Sequence, residues 1–168
     1  LGAKVYGISD KILTNPSNFR INPKNIFRES YFFDLKNQEK LKSVIKKIKP
    51  DFIFHLAAQA LVKKSYNDPY STFISNSIGT LNLLNSLKNI KLKKKCSLVL
   101  ITSDKSYKNR EIKKGYTEED LLGGHDPYSA SKACAELIIK SYIESFFKKN
   151  NQLRIGIARA GNVIGGGD

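Results

Sequence analysis

The chain contains two cysteines, two histidines, five prolines and neither methionine nor tryptophan. Cys96 and Cys134 lie far apart, without the close spacing of a thiolate metal site, so neither a disulfide framework nor a bound metal is expected. Both read as small core or near-core residues of a reduced, cytoplasmic protein. No run of 18 apolar residues occurs, so no membrane partner is expected. The opening Leu-Gly-Ala-Lys-Val-Tyr has neither the basic region nor the apolar core of a signal peptide. With no initiator methionine and an immediate strand-like run, it reads as a chain whose beginning precedes residue 1.

Arginine is also scarce. Of 29 basic residues only five are Arg (Arg20, Arg28, Arg110, Arg154, Arg159), although the net charge is +14. Readers of phosphates and bases favour the planar guanidinium fork, so a nucleic-acid partner is not expected. Lys, Asn and Ile together make up 56 of the 168 residues, which points to A- and T-rich coding. The lysines cluster on one helix surface (Lys40, Lys42, Lys46, Lys47, Lys49) and in a loop (Lys91, Lys93 to Lys95), as a solvated face would. The positive field they create would still help to attract a phosphate-bearing substrate.

The length suits one domain, and 40% apolar with 26% charged residues is ordinary for a globular protein. Strand-like and helical runs alternate. Strands are expected at Ala3 to Ser9, Tyr31 to Leu35, Asp51 to Ala57, Ser97 to Ser103 and Leu153 to Ala160. Helices are expected at Asn37 to Lys49, Pro69 to about Asn89 and Tyr128 to Lys149. The first carries Leu41, Val44, Ile45 and Ile48 as an apolar stripe ended by Pro50, and the second is apolar on more than one face. The pattern predicts an α/β fold with a doubly wound parallel sheet covered on both faces. Polar loops are expected from Asp10 to about Ser30 and from Asp104 to Pro127. The second is too long for a mere connector, and ligands of open α/β sheets bind at the carboxyl ends of strands. His55 to Gln59, Thr102 to Lys105 and Arg159 to Asn162 all fall at such ends.

Tyr128 and Lys132 stand four residues apart in Asp-Pro-Tyr-Ser-Ala-Ser-Lys, one turn apart on one helix face. An ammonium beside a phenol favours the phenolate, and such a pair can take a proton from an alcohol while hydride leaves its carbon. Tyr-x-x-x-Lys by itself is a weak signal, common on surface helices.

Ser103, Tyr128 and Lys132 together resemble the active site of extended short-chain dehydrogenases/reductases. That resemblance implies a Rossmann-like fold, a serine on the substrate hydroxyl, a tyrosine base, and a lysine that also holds the nicotinamide ribose of NAD. It further implies cofactor contacts at Asp34, Leu35, Leu56, Ala57, Ala58, Gln59 and Thr102, besides Tyr128 and Lys132. Asp10 is a candidate for the adenosine ribose, and Arg159 and Asn162 for the sugar or diphosphate. His125 reads as a loop-ordering residue. After Ser103 come Asp104 and Lys105, where epimerases and reductases of the superfamily usually carry small or neutral residues. An elimination needs two such groups, one to remove a proton and one to protonate the departing oxygen. Residues 55–66, 102–107, 122–133 and 158–168 closely resemble CDP-glucose 4,6-dehydratases, and Lys105 stands where dTDP-glucose dehydratases carry glutamate.

The resemblance implies a redox-neutral sequence. Tyr128 deprotonates the C4 hydroxyl as NAD takes the C4 hydride; Lys105 removes the C5 proton, a role that requires burial or nearby cations to favour its free amine; Asp104 protonates the leaving C6 hydroxyl; hydride returns to C6. Other epimerases or dehydratases of the superfamily, and an inactive Rossmann-like binding module, remain as alternatives. A homodimer through the two long helices is expected of the whole protein. The Gly-rich dinucleotide turn that follows the first strand of this fold is not found. The expectation is therefore a partial domain, lacking that strand and a C-terminal substrate domain. By itself it is expected neither to fold cooperatively nor to bind NAD.

Overall fold

The computed structural model describes residues 2–12, 14–21, 27–92 and 94–164. Residues 165–168 of the glycine-rich terminal run, and parts of the first loop, lie outside these. Strand β1 (Val5–Ser9) pairs in parallel with β2 (Phe27–Phe32), and the Phe33 N–H extends the ladder by donating to Ser9 O at 2.8 Å. The second strand thus starts four residues earlier than expected and stops short of Asp34. Pairing with β1 sets its span, and it recruits Arg28, Glu29 and Ser30, whose polarity argued for a loop. A short helix, α1 (Asn18–Ile21), interrupts the first loop.

Helix α2 (Gln38–Ile48) lies within one residue of its expected ends. Asn37 Oδ1 accepts the Lys40 N–H at 3.0 Å, which satisfies one of the free donors of the first turn. Lys49 closes the helix in the left-handed region, with φ 51° and its N–H on Ile45 O. Leu41, Val44 and Ile45 are buried, and the lysines point outward.

Strands β3 (Phe52–His55), β4 (Cys96–Ser103) and β5 (Leu153–Ala160) form a second parallel sheet in the order β3-β4-β5. Its ladder is in register from Cys96↔Leu153 to Ser103↔Ala160. Among the described residues β1 and β3 share no ladder.

Between β3 and β4 run α3 (Val62–Asn67), α4 (Pro69–Phe73), a π turn at Ile74–Ile78 and α5 (Gly79–Lys88). Asp68 caps α4 by accepting the Ser71 N–H at 3.0 Å, with Pro69 in the first turn. Between β4 and β5 comes α6 (Pro127–Tyr142), capped by Asp126 and prolonged by a π turn at Ile143–Phe147.

Among the described residues the helices cover one face of the β3-β4-β5 sheet. Leu98, Leu100, Cys96 and Leu153 point into a core with Leu83, Leu84, Leu87 and Ile139, and α2 adds Leu41 and Ile45. Burying each such side chain contributes about 1.5–3 kcal/mol. On the opposite face Phe52 and Phe54 are 65% and 61% exposed, although both read as buried in the sequence. The reason is topological. The crossovers from β3 to β4 and from β4 to β5 step the same way, so right-handed connections put α5 and α6 on the same side. Helix α2 joins that layer through Gln38, which donates to Asn82 Oδ1 at 2.8 Å and accepts from Asn85 at 3.0 Å. Among the described residues no helix is long and apolar enough to cross a membrane.

Candidate active site

The carboxyl end of β4 turns sharply. Ser103 is buried, and its hydroxyl accepts the Lys105 N–H at 3.2 Å and donates to Asp104 Oδ1 at 3.1 Å. This holds a single 3-10 turn, Asp104–Ser106, that presents an acid and a base side by side. The Lys105 ammonium lies 3.8 Å from Asp104 Oδ1, and the two side chains are 45% and 53% exposed. The burial that a base role at Lys105 invites is therefore not provided by the described residues. A β-carbon at Gly161 would lie 3.6 Å from Asp104 Oδ2, so the segment after β5 borders the acid. Asn162, one residue on, is exposed.

Helix α6 supplies the other half. Tyr128, Lys132 and Glu136 occupy successive turns of one face, and all three are buried. The helix packs against the Asp104–Ser106 turn, against α4 and against the π turn at Ile74–Ile78. Tyr128 is fixed through its backbone, whose N–H donates to the fully buried Ser65 hydroxyl at 3.2 Å. Burial lowers the pKa of Lys132. Among the described residues no carboxylate lies within ion-pairing range of its ammonium. Burial first, and the Lys132 charge second, bring the His55 imidazole down to about 4, so it is neutral at physiological pH.

Asn76 ties the end of β3 to this helix. Its Nδ2 donates to Ser131 Oγ at 2.8 Å and to Gln59 O at 3.1 Å, while its Oδ1 accepts the Gln59 N–H at 2.8 Å. Gln59 is thereby fixed just past the end of β3. Leu56 and Ala57 are exposed, and Ala58 and Gln59 are partly buried. The Gln59 amide turns inward and donates to Thr72 Oγ1 and Leu61 O, both at 3.0 Å. Asp34 sits just past β2 and accepts the Lys36 N–H at 2.8 Å; the Leu35 carbonyl accepts Asn82 Nδ2 at 3.1 Å. Asp10, directly after β1, accepts the Lys11 N–H. A cavity of about 250 Å³ opens between β1, β2 and Phe19. It does not touch Tyr128 or Lys132, so the chemistry is not located by the cavity.

Three further residues are placed as follows. Arg159, a candidate for the sugar or diphosphate, has its Nε and Nη2 on the Glu136 carboxylate at 2.8 and 2.7 Å, and its guanidinium lies 4.4 Å from the centre of the Tyr107 ring. Thr102, a candidate for the cofactor, donates its hydroxyl to Glu136 Oε1 at 2.7 Å. His125 is exposed, and the loop before α6 is ordered instead by Asp126, which accepts the Ser129 N–H at 3.0 Å. Sequence reasoning missed Glu136, Ser106, Asn76 and Ser65. Only Glu136 carried a usable signal, being an acidic residue one turn beyond Lys132 on the same face.

Residues 2–155 match the family model described as GDP-mannose 4,6 dehydratase. A CDP-glucose 4,6-dehydratase from Salmonella typhimurium is 46% identical over 172 aligned residues, which take in 100% of this chain and 47% of that protein. The chain thus spans about half the length of that relative. The UDP-glucose 4-epimerase of Thermotoga maritima, solved with UDP-glucose, superposes with a TM-score of 0.74 at 21% identity, over 94% of this chain and 47% of that one. A double mutant of DesIV, the dTDP-glucose 4,6-dehydratase of Streptomyces venezuelae solved with NAD and DAU bound, gives 0.73 at 21% identity, over 93% and 45%. At such identities the two structures establish the fold, a Rossmann-like α/β sheet. The chain belongs to the GDP-mannose 4,6-dehydratase family, within the extended short-chain dehydrogenases/reductases.

Proposed function

We propose that the protein to which this chain belongs converts CDP-glucose to CDP-4-dehydro-6-deoxyglucose with loss of water. The observation that carries this reading is the packing of α6, with Tyr128 and Lys132, against the β4 turn that bears Ser103, Asp104 and Lys105. An oxidising pair alone would serve a dehydrogenase or an epimerase; an adjacent acid and base are what an elimination adds. The 46% identity to a CDP-glucose 4,6-dehydratase supports the choice of nucleotide.

The donor set suits a nicotinamide cofactor, taken as NAD. Lys132 is a nearly buried cation with no described carboxylate in range, and it can donate to a ribose diol. Bound NAD supplies the acceptor for the C4 hydride and its return to C6. The chain's own residues move the protons. Ser103 holds the C4 hydroxyl and Tyr128 takes its proton, leaving a ketone that acidifies C5. Lys105, as the free amine, takes the C5 proton while Asp104, as the acid, protonates the departing C6 hydroxyl, so water leaves. Lys105 then returns its proton to C5, and the proton taken by Tyr128 is released to solvent while Asp104 takes one up, which resets both groups. Asp34, Leu35 and Leu56 to Gln59 line the cofactor edge, and Asn162 lies on the substrate side. Arg159 supports the strand end. Exposed Tyr70 and Phe73 on α4 and Leu137 on α6, two helices that pack together, form an apolar face suited to pairing with a second copy.

The test is to give the full-length protein NAD with CDP-, dTDP- or GDP-glucose and follow the sugar by NMR. A 4-keto-6-deoxy product from CDP-glucose in preference to the others is expected. A C4-epimerised sugar, a product from another nucleotide only, or no turnover would overturn the reading.

A further inference from the structure

We propose that Glu136 is a positioning residue that sets the Asp104–Lys105 turn against the Tyr128–Lys132 face and so governs the elimination half of the reaction; this rests on the dehydratase reading. Glu136 is fully buried, and the proton transfers above make no use of it. Its carboxylate collects hydrogen bonds from three groups on three other elements. Thr102 Oγ1 donates at 2.7 Å from the end of β4, Ser106 Oγ at 3.0 Å from the close of the turn, and Arg159 Nε and Nη2 at 2.8 and 2.7 Å from the end of β5. Burial alone would raise its pKa, but these donors outweigh it and hold the carboxylate ionised.

Glu136 grips the turn on both sides of its last residue. The Ser106 hydroxyl proton is shared between Glu136 and the Ser103 carbonyl, which lies at 2.6 Å. Tyr107, the next residue, is covered by the guanidinium that Glu136 holds. Beyond it, Lys108 N–H donates to Leu121 O and Gly123 N–H to Ser106 O, so the long loop is pinned from the same point. The side chains of Asp104 and Lys105, by contrast, meet only each other and Ser103 in hydrogen bonds and ion pairs among the described residues. Their placement therefore depends on the turn. Tyr128 and Lys132 are held separately, by Ser65, Asn76 through Ser131, and the Asp126 cap. Loosening Glu136 should disturb the acid–base turn before it disturbs the oxidising helix.

The substitution Glu136→Gln keeps an acceptor for Thr102 and Ser106 but removes the ionic fork with Arg159. In the full-length protein with CDP-glucose and NAD, C4 oxidation should stay within about threefold of wild type while product formation falls about tenfold or more, the scale of a small misplacement of reacting groups. Reduced nicotinamide should then accumulate at 340 nm. Arg159→Lys should reproduce the same split more weakly. Equal loss of both steps, or loss of neither, overturns the proposal. If Glu136→Gln does not fold, Ser106→Ala decides the matter by the same two rates. Amide hydrogen exchange supplies a readout without turnover. Glu136→Gln should speed exchange across residues 103–108 and leave 129–140 unchanged; a uniform increase or no change overturns the proposal. A wild-type protein inactive on all three nucleotide sugars would sink the dehydratase reading, and the exchange result would still decide whether Glu136 sets the turn.

Discussion

His55 Nε2 lies 3.0 Å from Thr80 Oγ1, and the Thr80 hydroxyl spends its own proton on the Asn76 carbonyl at 2.7 Å. The imidazole must therefore donate through Nε2, which leaves Nδ1 without a proton. Burial, aided by the Lys132 charge, takes its pKa from 6.5 to about 4. Between these values the unfolded chain binds a proton that the folded chain refuses. Stability from this group is complete above pH 6.5 and is lost as pH falls toward 4, by up to about 3 kcal/mol. Denaturant midpoints of the full-length protein should fall from pH 7 to pH 5, and His55→Gln should flatten that dependence. Equal slopes would remove His55 as its source.

Gly124 lies against the first turn of α6. A β-carbon there would collide with Ala130 N and the Ser129 carbonyl carbon, so backbone must move. Gly124→Ala should cost about 1–3 kcal/mol, as overpacking does, and slow C4 oxidation by displacing Tyr128. At Gly123 the nearest atom would be Lys108 Cβ at 3.4 Å, and Gly123→Ala should stay within about 0.5 kcal/mol of wild type. Thermal melts of the two variants, side by side, check the contrast.

Tyr128→Phe keeps the buried ring and removes only the hydroxyl. Loss of a positioned acid–base group costs roughly 10²- to 10⁴-fold. Both the 340 nm signal and the product should vanish together while the melting temperature holds. Persistent oxidation would show that another group takes the C4 proton.

Leu137 projects from α6 into solvent, on a helix that packs against α4 with its exposed Tyr70 and Phe73. In the whole protein, Leu137→Asp should convert a dimer to a monomer in light scattering, without loss of secondary structure. A monomeric wild type, or a variant that stays dimeric, would count against this face as the interface.

Much of this arrangement was legible in local pattern. The apolar stripe and Asn37 to Pro50 bracketed α2, and the β-rich run Leu153 to Ala160 matched β5 to the residue. The helix expected from Tyr128 begins one residue earlier, at Pro127. What escaped was decided at a distance. The span of β2 comes from pairing with β1, and the exposure of Phe52 and Phe54 follows from crossover handedness. Leu61, at the N-cap of helix α3, makes no side-chain capping bond, so the helix left no start signal. The two π turns have none either, because one extra residue in a turn does not disturb an apolar stripe enough to register. For Arg159 the charge was visible but its partner was not, since Glu136 lies 23 residues earlier and meets it only in the fold.

Lys105→Ala is the most direct test of the central claim that the β4 turn converts an oxidation into a dehydration. Full-length variant, NAD and CDP-glucose would be mixed while absorbance at 340 nm and sugar NMR are followed. The account predicts one equivalent of bound reduced nicotinamide per active site and no 4-keto-6-deoxy product. Product at the wild-type rate would contradict it, as would a variant that never reduces the cofactor.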